Sequence, residues 1–387
     1  MWLDKPRNPN APLAGLKVVE LARVLAGPWA SQILADLGAD VIKVESPDGD
    51  GTRKWGPPWI EREGPNGESR REAAYYHSTN RGKRSVVADF KSADDLARVK
   101  ELCADADVVI ENFKTDTLAK FGLDYASLTA ANPGLVYCSI TGFGQTGPRA
   151  HEAGYDFVIQ AMSGFMALTG EPNGQPMKMG ISVSDLACGL YAVIGIQAAL
   201  AMRARTGKGQ HVDMSLLDCS VGLLASQAMH YLTTGTNPPR MGNEHAQVSA
   251  YGVFPTCDGE VVLAPANDGL FRRLLGVLGR DDLLEDTRFT TNEGRLANRA
   301  ALDAMIADET QHWSRVELLG ACGEAGIPAG PINQLNEVFA DPQVVARRMQ
   351  LELGGLPTVR APFTFSDAEL ALDRPSPMLG EDQDALD

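Results

Sequence analysis

Asp185 stands at the entry of a long apolar stretch, Met179 to Gln210 (MGISVSDLACGLYAVIGIQAALAMRARTGKGQ). The stretch reads as one helix: Ser184 or Asp185 can cap its start, Arg203 and Arg205 crowd its last turns, and Gly207 and Gly209 stop it. On the face that carries Asp185, the positions three, four and seven residues on are Cys188, Gly189 and Ala192. All three are small, so a bulky group can approach the carboxylate. The free N–H groups and the dipole of a helix start favour an anion, which predicts that Asp185 stays ionised even when partly desolvated. A poorly solvated carboxylate with space before it suits nucleophilic catalysis. An ordinary helix-capping aspartate is the plainer alternative, and the local sequence leaves both open.

The rest of the helix, Leu186 to Met202, is apolar nearly all round and is predicted to be buried on most faces. A membrane span is the rival, but a span needs about 20 strongly apolar residues and this run is shorter and rich in Ala and Gly. The elements ahead of it alternate. LKVVELA reads as a strand, Pro28 to Leu37 as a helix with proline at its first position, and ADVIKVES as a strand. RSVVADF (strand), SADDLARVKELCADA (helix), DVVIENF (strand), short helical pieces from Thr115 to Asn132 and the strand LVYCSITGFG follow. Such alternation predicts an α/β protein, its parallel sheet covered by helices on both faces. A helix FVIQAMSGFMAL leads into the Asp185 stretch, and HVDMSLLDCSVGLLASQAMHYL turns from strand to helix after it. PPRMGNEHAQ is a connector, AYGVFPTCDGEVVLAPA a hairpin turning at Asp258 and Gly259, and three helical patterns follow around Leu270–Leu278, Arg295–Thr310 and Arg315–Glu324. This division predicts a large domain over residues 1–225, a smaller α+β domain over 226–325, and a C-terminal segment, 326–387, that returns to the large one.

The 387 residues, 44% hydrophobic and 22% charged, suit a soluble protein with a sizeable core. A net charge of −15 argues against nucleic acid as a partner. The cations are uneven: NRGKRS (Asn80 to Ser85), Lys91, Lys114 and Lys120 form a basic set, either a solvated surface or a site for a small polyanion. Six cysteines without a CxxC pair read as reduced core thiols of a cytoplasmic protein, and six histidines without ligand spacing give no zinc site. The polar, Pro-rich N-terminus is neither a signal nor a transit peptide. The turn ARVLAGPW is not G-x-G-x-x-G, and no GxxxxGK[ST] occurs, so dinucleotide and P-loop sites are unsupported.

In this order and spacing, PLAGLKVVELARVLAGPWASQILADLGADVIKVESP, NRGKRSVVADFK, VVIENF, the Asp185 motif with RTGKGQHVDMSLLD, FADPQV and PSPMLGE resemble the class III (CaiB/BaiF) CoA-transferases over nearly the whole chain. That family includes formyl-CoA:oxalate and carnitine CoA-transferases and 2-methylacyl-CoA racemases. The resemblance implies a Rossmann-like large domain, an interlocked homodimer, and an active site at the contact of large and small domains. It makes Asp185 the nucleophile that exchanges CoA through an aspartyl anhydride and an aspartyl-CoA thioester, with acyl-CoA as substrate and no metal or redox cofactor. For CoA it matches Val24, Leu25, Ala26, Ala88, Lys91, Asn112, Phe113 and Lys120, the lysines facing phosphates and Phe113 the adenine.

Five departures narrow the branch. Leu25 stands where the formyl-CoA enzymes have Gln, and Ser46 where they have Arg. Tyr155 replaces the His that racemases use, and a phenol is a much weaker base near neutral pH, which counts against racemisation. Asp156 takes the place of a Glu, either as a second acid near the nucleophile or as a hydrogen-bonded loop residue. The tetraglycine loop of the oxalate enzymes is replaced by RMGNEHAQVSAYGVF, and GPINQLNEVFADPQV looks most like members acting on succinate, glutarate or hydroxymethylglutarate. Arg240, Asn243 and His245 are then candidates for the distal carboxylate of such an acceptor.

Overall fold

The computed structural model describes residues 1–64, 67 and 69–386. Its large sheet consists of β1 (Lys17–Glu20), β2 (Asp40–Glu45), β3 (Arg84–Val87), β4 (Val108–Glu111), β5 (Val136–Thr141) and β6 (His211–Ser215). The strands lie in the order β3-β2-β1-β4-β5-β6, all parallel, with Glu20 opposite Lys43 and Glu111 opposite Ser139. This is the doubly wound order, which reverses between β1 and β4 and opens a crevice beyond the carboxyl ends of those strands. The strands are short and apolar because both faces are covered. Val18, Val108 and Val136 point to one core; their neighbours Val19, Val109 and Tyr137 point to the other.

The first face carries α1 (Ala26–Asp36), and the second carries α2 (Ala93–Ala104) and α3 (Tyr125–Ala131). Ser92 caps α2, its hydroxyl accepting from the Asp95 N–H at 3.3 Å. The structure starts α1 two residues before Pro28, so proline is its third residue rather than its first. The expected helix from Phe157 is shorter: α4 (Asp156–Met162) is followed by Gly164 at φ 95° and a separate turn, Phe165–Leu168. Then come α5 (Val183–Thr206), α6 (Leu216–Gly222) and α7 (Ala225–Thr234).

Helix α5 packs on α1, β5, β6 and α6 through Ala187, Cys188, Ala192, Ile196 and Ala199. Two expectations for it fail. Its N-cap is Ser182, whose side chain makes no capping bond, so neither Ser184 nor Asp185 is the cap. Burial is confined to one stripe: Leu190, Tyr191, Ile194 and Met202 are exposed. Apolarity all round does not fix burial all round, because the helix meets the sheet on one side only. By length and hydropathy the helix would also suffice to cross a bilayer.

The chain forms two compact units, residues 1–166, 178–236 and 342–387 in one, and 167–177 and 237–341 in the other. The second unit contains an antiparallel sheet of β7 (Gly252–Thr256), β8 (Gly259–Leu263) and β9 (Ala329–Pro331) under α8 (Asp268–Leu278), α9 (Arg299–Thr310) and α10 (Arg315–Glu324). The hairpin turns at Cys257 and Asp258, one residue earlier than expected. Residues 326–341, assigned by sequence to the C-terminal segment, lie in this unit, where β9 pairs with β8, and residues 226–236, assigned to the small domain, lie in the first unit.

Candidate active site

At the crevice beyond β1 and β4 lies a cavity of about 330 Å³. Its walls include Arg23, Val24, Leu25 and Ala26 from the β1–α1 turn, Asn112, Phe113 and Lys114 after β4, Gly142 after β5, Tyr155, and Asp185. A glycine allows this closeness. A Cβ at Gly189, one turn beyond Asp185, would sit 2.7 Å from the Ala26 carbonyl oxygen and 3.0 Å from Trp29. The start of α1 can therefore lie directly against the start of α5.

The helix-start donors of α5 serve another acid. The Ser184 N–H donates to Asp156 Oδ1 at 2.9 Å, and Gln160 Nε2 donates to Asp156 Oδ2 at 2.8 Å. Asp156 thus caps α5 from outside, which gives the residue a structural role beside any chemical one. No hydrogen-bond donor reaches the Asp185 carboxylate among the described residues. Burial, and then the neighbouring Asp156 charge, push its pKa up to about 7. The expectation that the helix start would keep Asp185 ionised is corrected: Asp156 takes up the helix-start donor, and desolvation outweighs the dipole. A largely buried carboxylate whose pKa is raised is, once ionised, a stronger nucleophile than an ordinary surface aspartate.

Tyr75 was missed by sequence. Its phenol is half-buried; burial, then the Asp185 charge, raise its pKa. Trp55 packs edge-on against it at 5.5 Å. The signal was only a YY pair before NRGKRS, which contains nothing to place it beside Asp185.

Six of the predicted residues come together on the cavity wall: Val24, Leu25, Ala26, Asn112, Phe113 and Asp185. Ala88, Lys91 and Lys120 do not line it. Ala88 is buried in the core with Phe90, Phe113 and Phe121 at its edge. Lys91 and Lys120 are exposed and adjoin Phe90 and Phe121, whose rings lie 5.5 Å apart. Arg23 and Lys114 are the cations on the cavity wall itself, Arg23 over the Phe113 ring at 4.9 Å. The NRGKRS cations are corrected: Arg81 pairs with Asp36, Lys83 with Glu20 and Arg84 with Asp40, all substantially buried, so none faces a polyanion. Their charges neutralise acids within the sheet and α1.

In the second unit, Arg240 has buried Nε and Nη1 atoms without a hydrogen-bond partner among the described residues. Asn243 lines a separate cavity with Glu171, Glu244, Glu260 and Asp303, surroundings that repel a carboxylate. His245 packs on Tyr251 at 5.1 Å.

Fold and cavity together define an α/β enzyme with an acid at the switch point of a doubly wound sheet. Residues 13–383 match CoA-transferase family III. The chain is 54% identical to the succinate–glutarate CoA-transferase of Agrobacterium fabrum, covering 98% of this chain and 96% of that one. It is 37% identical to the succinyl-CoA:glutarate CoA-transferase of Homo sapiens, covering 98% and 87%. The crystal structure of a CaiB/BaiF family protein from Brucella suis superposes with a TM-score of 0.89 at 56% identity, covering 98% and 100%. The chain belongs to CoA-transferase family III and is a CoA-transferase.

Proposed function

We propose that the protein moves CoA from an acyl-CoA such as succinyl-CoA to a dicarboxylate such as glutarate, with Asp185 as nucleophile. The observation that carries this is Asp185 itself, largely buried yet lining the cavity between the α1 start and Tyr155, with no donor of its own among the described residues. The ionised carboxylate attacks the donor's thioester carbonyl, forming an aspartyl-acyl anhydride and expelling CoA thiolate. The thiolate attacks the Asp185 carbonyl, giving an aspartyl-CoA thioester and the free donor acid. The acceptor carboxylate attacks that thioester, forming a second anhydride and thiolate. The thiolate then attacks the acceptor carbonyl, releasing the new acyl-CoA and Asp185. Each exchange is isoenergetic in kind, and the steps call for no metal or redox cofactor.

Phe113, with Phe90 and Phe121, offers the apolar surface for adenine; Lys114, Lys91 and Lys120 edge it for phosphates. A dicarboxylate acceptor is supported by the relatives that act on succinate and glutarate. Leu232, Ile194, Phe157 and Leu190 are large apolar side chains left exposed, in keeping with an interlocked homodimer that would cover them. Its free cysteines suit the cytoplasm.

Succinyl-CoA mixed with a panel of carboxylic acids tests this reading, with new acyl-CoA species followed by mass spectrometry. Glutaryl-CoA should form, and a CoA thioester on Asp185 should be trapped by borohydride or hydroxylamine. Solvent deuterium entering the α-carbon of a 2-methylacyl-CoA, without acyl exchange, would instead establish a racemase.

A further inference from the structure

Val24 has a backbone φ of 72°, in the left-handed region that a β-branched residue strongly resists. Such a conformation persists only where the surroundings over-determine it, and here they do. The Val24 N–H donates to Asp50 Oδ2 at 3.2 Å. Lys43 Nζ lies 3.1 Å from the same Asp50 oxygen and donates to Glu20 Oε1 at 2.8 Å and to the Ala22 carbonyl at 2.9 Å. Lys83 Nζ lies 2.7 Å from Glu20 Oε2 and donates to the Pro28 carbonyl at 3.0 Å. Thr52 anchors the other Asp50 oxygen through its N–H at 3.0 Å and hydroxyl at 2.8 Å. Asn112 holds the Arg23 N–H at 2.8 Å and donates to the Arg23 carbonyl at 2.6 Å.

Two lysines and two acids, fully buried, therefore grip the backbone at residues 22, 24 and 28, and Asn112 grips residue 23. Among the described residues, no acceptor meets the N–H groups of Leu25 and Ala26, and both residues line the Asp185 cavity. A buried charge cluster of this size is an expensive way to stabilise a turn, since each ion must be desolvated. Fixing one turn against its own backbone preference is what the cluster accomplishes.

We propose that Asp50, backed by Lys43, is a positioning residue for the acyl-CoA thioester: it holds Val24 left-handed so that the Leu25 and Ala26 N–H groups stand ready for a substrate oxygen. The inference rests on the cavity being the acyl-CoA site. Asp50 touches no substrate; it acts through Val24.

The test compares Asp50→Asn, Val24→Pro, Val24→Gly and the Val24→Gly/Asp50→Asn double variant with the parent protein. Readouts are the single-turnover rate of aspartyl-CoA formation, CoA affinity by calorimetry, and the thermal melt. Asp50→Asn should slow thioester formation by about tenfold to a hundredfold, the range set by one strained residue, with CoA affinity changed far less. Val24→Pro, which removes the N–H and fixes φ near −65° without touching the buried charges, should slow it at least as much in a protein that still melts cooperatively. In the double variant, glycine accepts the left-handed angle freely, so the rate should recover at least about fivefold over Asp50→Asn. A purely structural Asp50 would lower the melt and show no such rescue. Parent-like rates for Val24→Pro, or a double variant no faster than Asp50→Asn, overturn the inference while leaving the cavity assignment intact. A parent protein that binds no CoA overturns both.

Discussion

Replacing Asp185 with Asn should destroy activity yet stabilise the protein, and the gain should depend on pH. In the unfolded chain this carboxyl ionises near its ordinary 3.8; in the folded protein burial and Asp156 raise it to about 7. Between those values the native state keeps a proton that the unfolded state has lost. Stability is thus fully present below about 4, falls as pH rises, and levels off above about 7. The difference of about three pH units corresponds to at most about 4 kcal/mol at pH 8. Water in the open cavity screens part of that, so about 2–4 kcal/mol is the working range. Asn has nearly the same shape and carries no charge to desolvate. The Asp185→Asn variant should melt about 2–5 °C above the parent at pH 8, and the gap should close as pH approaches 4. Paired melts from pH 4 to 8, read by circular dichroism, supply the measurement. Equal melts at pH 8, or a gap that widens toward acid, would refute the claim that Asp185 is a desolvated, repelled carboxylate.

The same ionisation governs rate: kcat/KM for acyl-CoA should climb with pH through about 7 and then plateau, because only ionised Asp185 attacks; a flat profile from pH 5.5 to 8.5 contradicts this. Gly189→Val should cripple turnover and destabilise by about 1–3 kcal/mol, since the added Cβ alone meets the Ala26 carbonyl at 2.7 Å; unchanged kinetics would show that α1 and α5 need not touch. Lys114→Ala should raise KM for acyl-CoA about tenfold, and more than Lys91→Ala or Lys120→Ala, because Lys114 alone of the three lines the cavity; the reverse ranking would move the phosphates out to the Phe90–Phe121 edge. Lys43→Met should destabilise by about 3–5 kcal/mol by leaving buried Asp50 without a cation and Glu20 with Lys83 alone, seen as a lowered denaturation midpoint.

Much of this molecule is local and therefore written in the chain. The alternation of short, mainly apolar strands and helices determined an α/β sheet, because a strand covered on both faces must be apolar wherever no partner offsets a polar group. The small residues on the Asp185 face marked an approachable carboxylate, and the motif series marked the family. What the chain alone left undecided were the partners of its charges. Glu20 and Lys43 read as polar interruptions of two strands; only parallel register sets them opposite each other and beneath the Val24 turn. Asp156 and Asp185, 29 positions apart, compete for one helix start, and the sequence awarded it to the wrong acid. The cations of NRGKRS read as a solvated surface or a polyanion site, and the fold instead buries Arg81, Lys83 and Arg84 against Asp36, Glu20 and Asp40. Backbone periodicity follows from neighbours in sequence. The ionisation of a buried group follows from neighbours in space, and those are set only when the sheet has closed and the helices have docked on it.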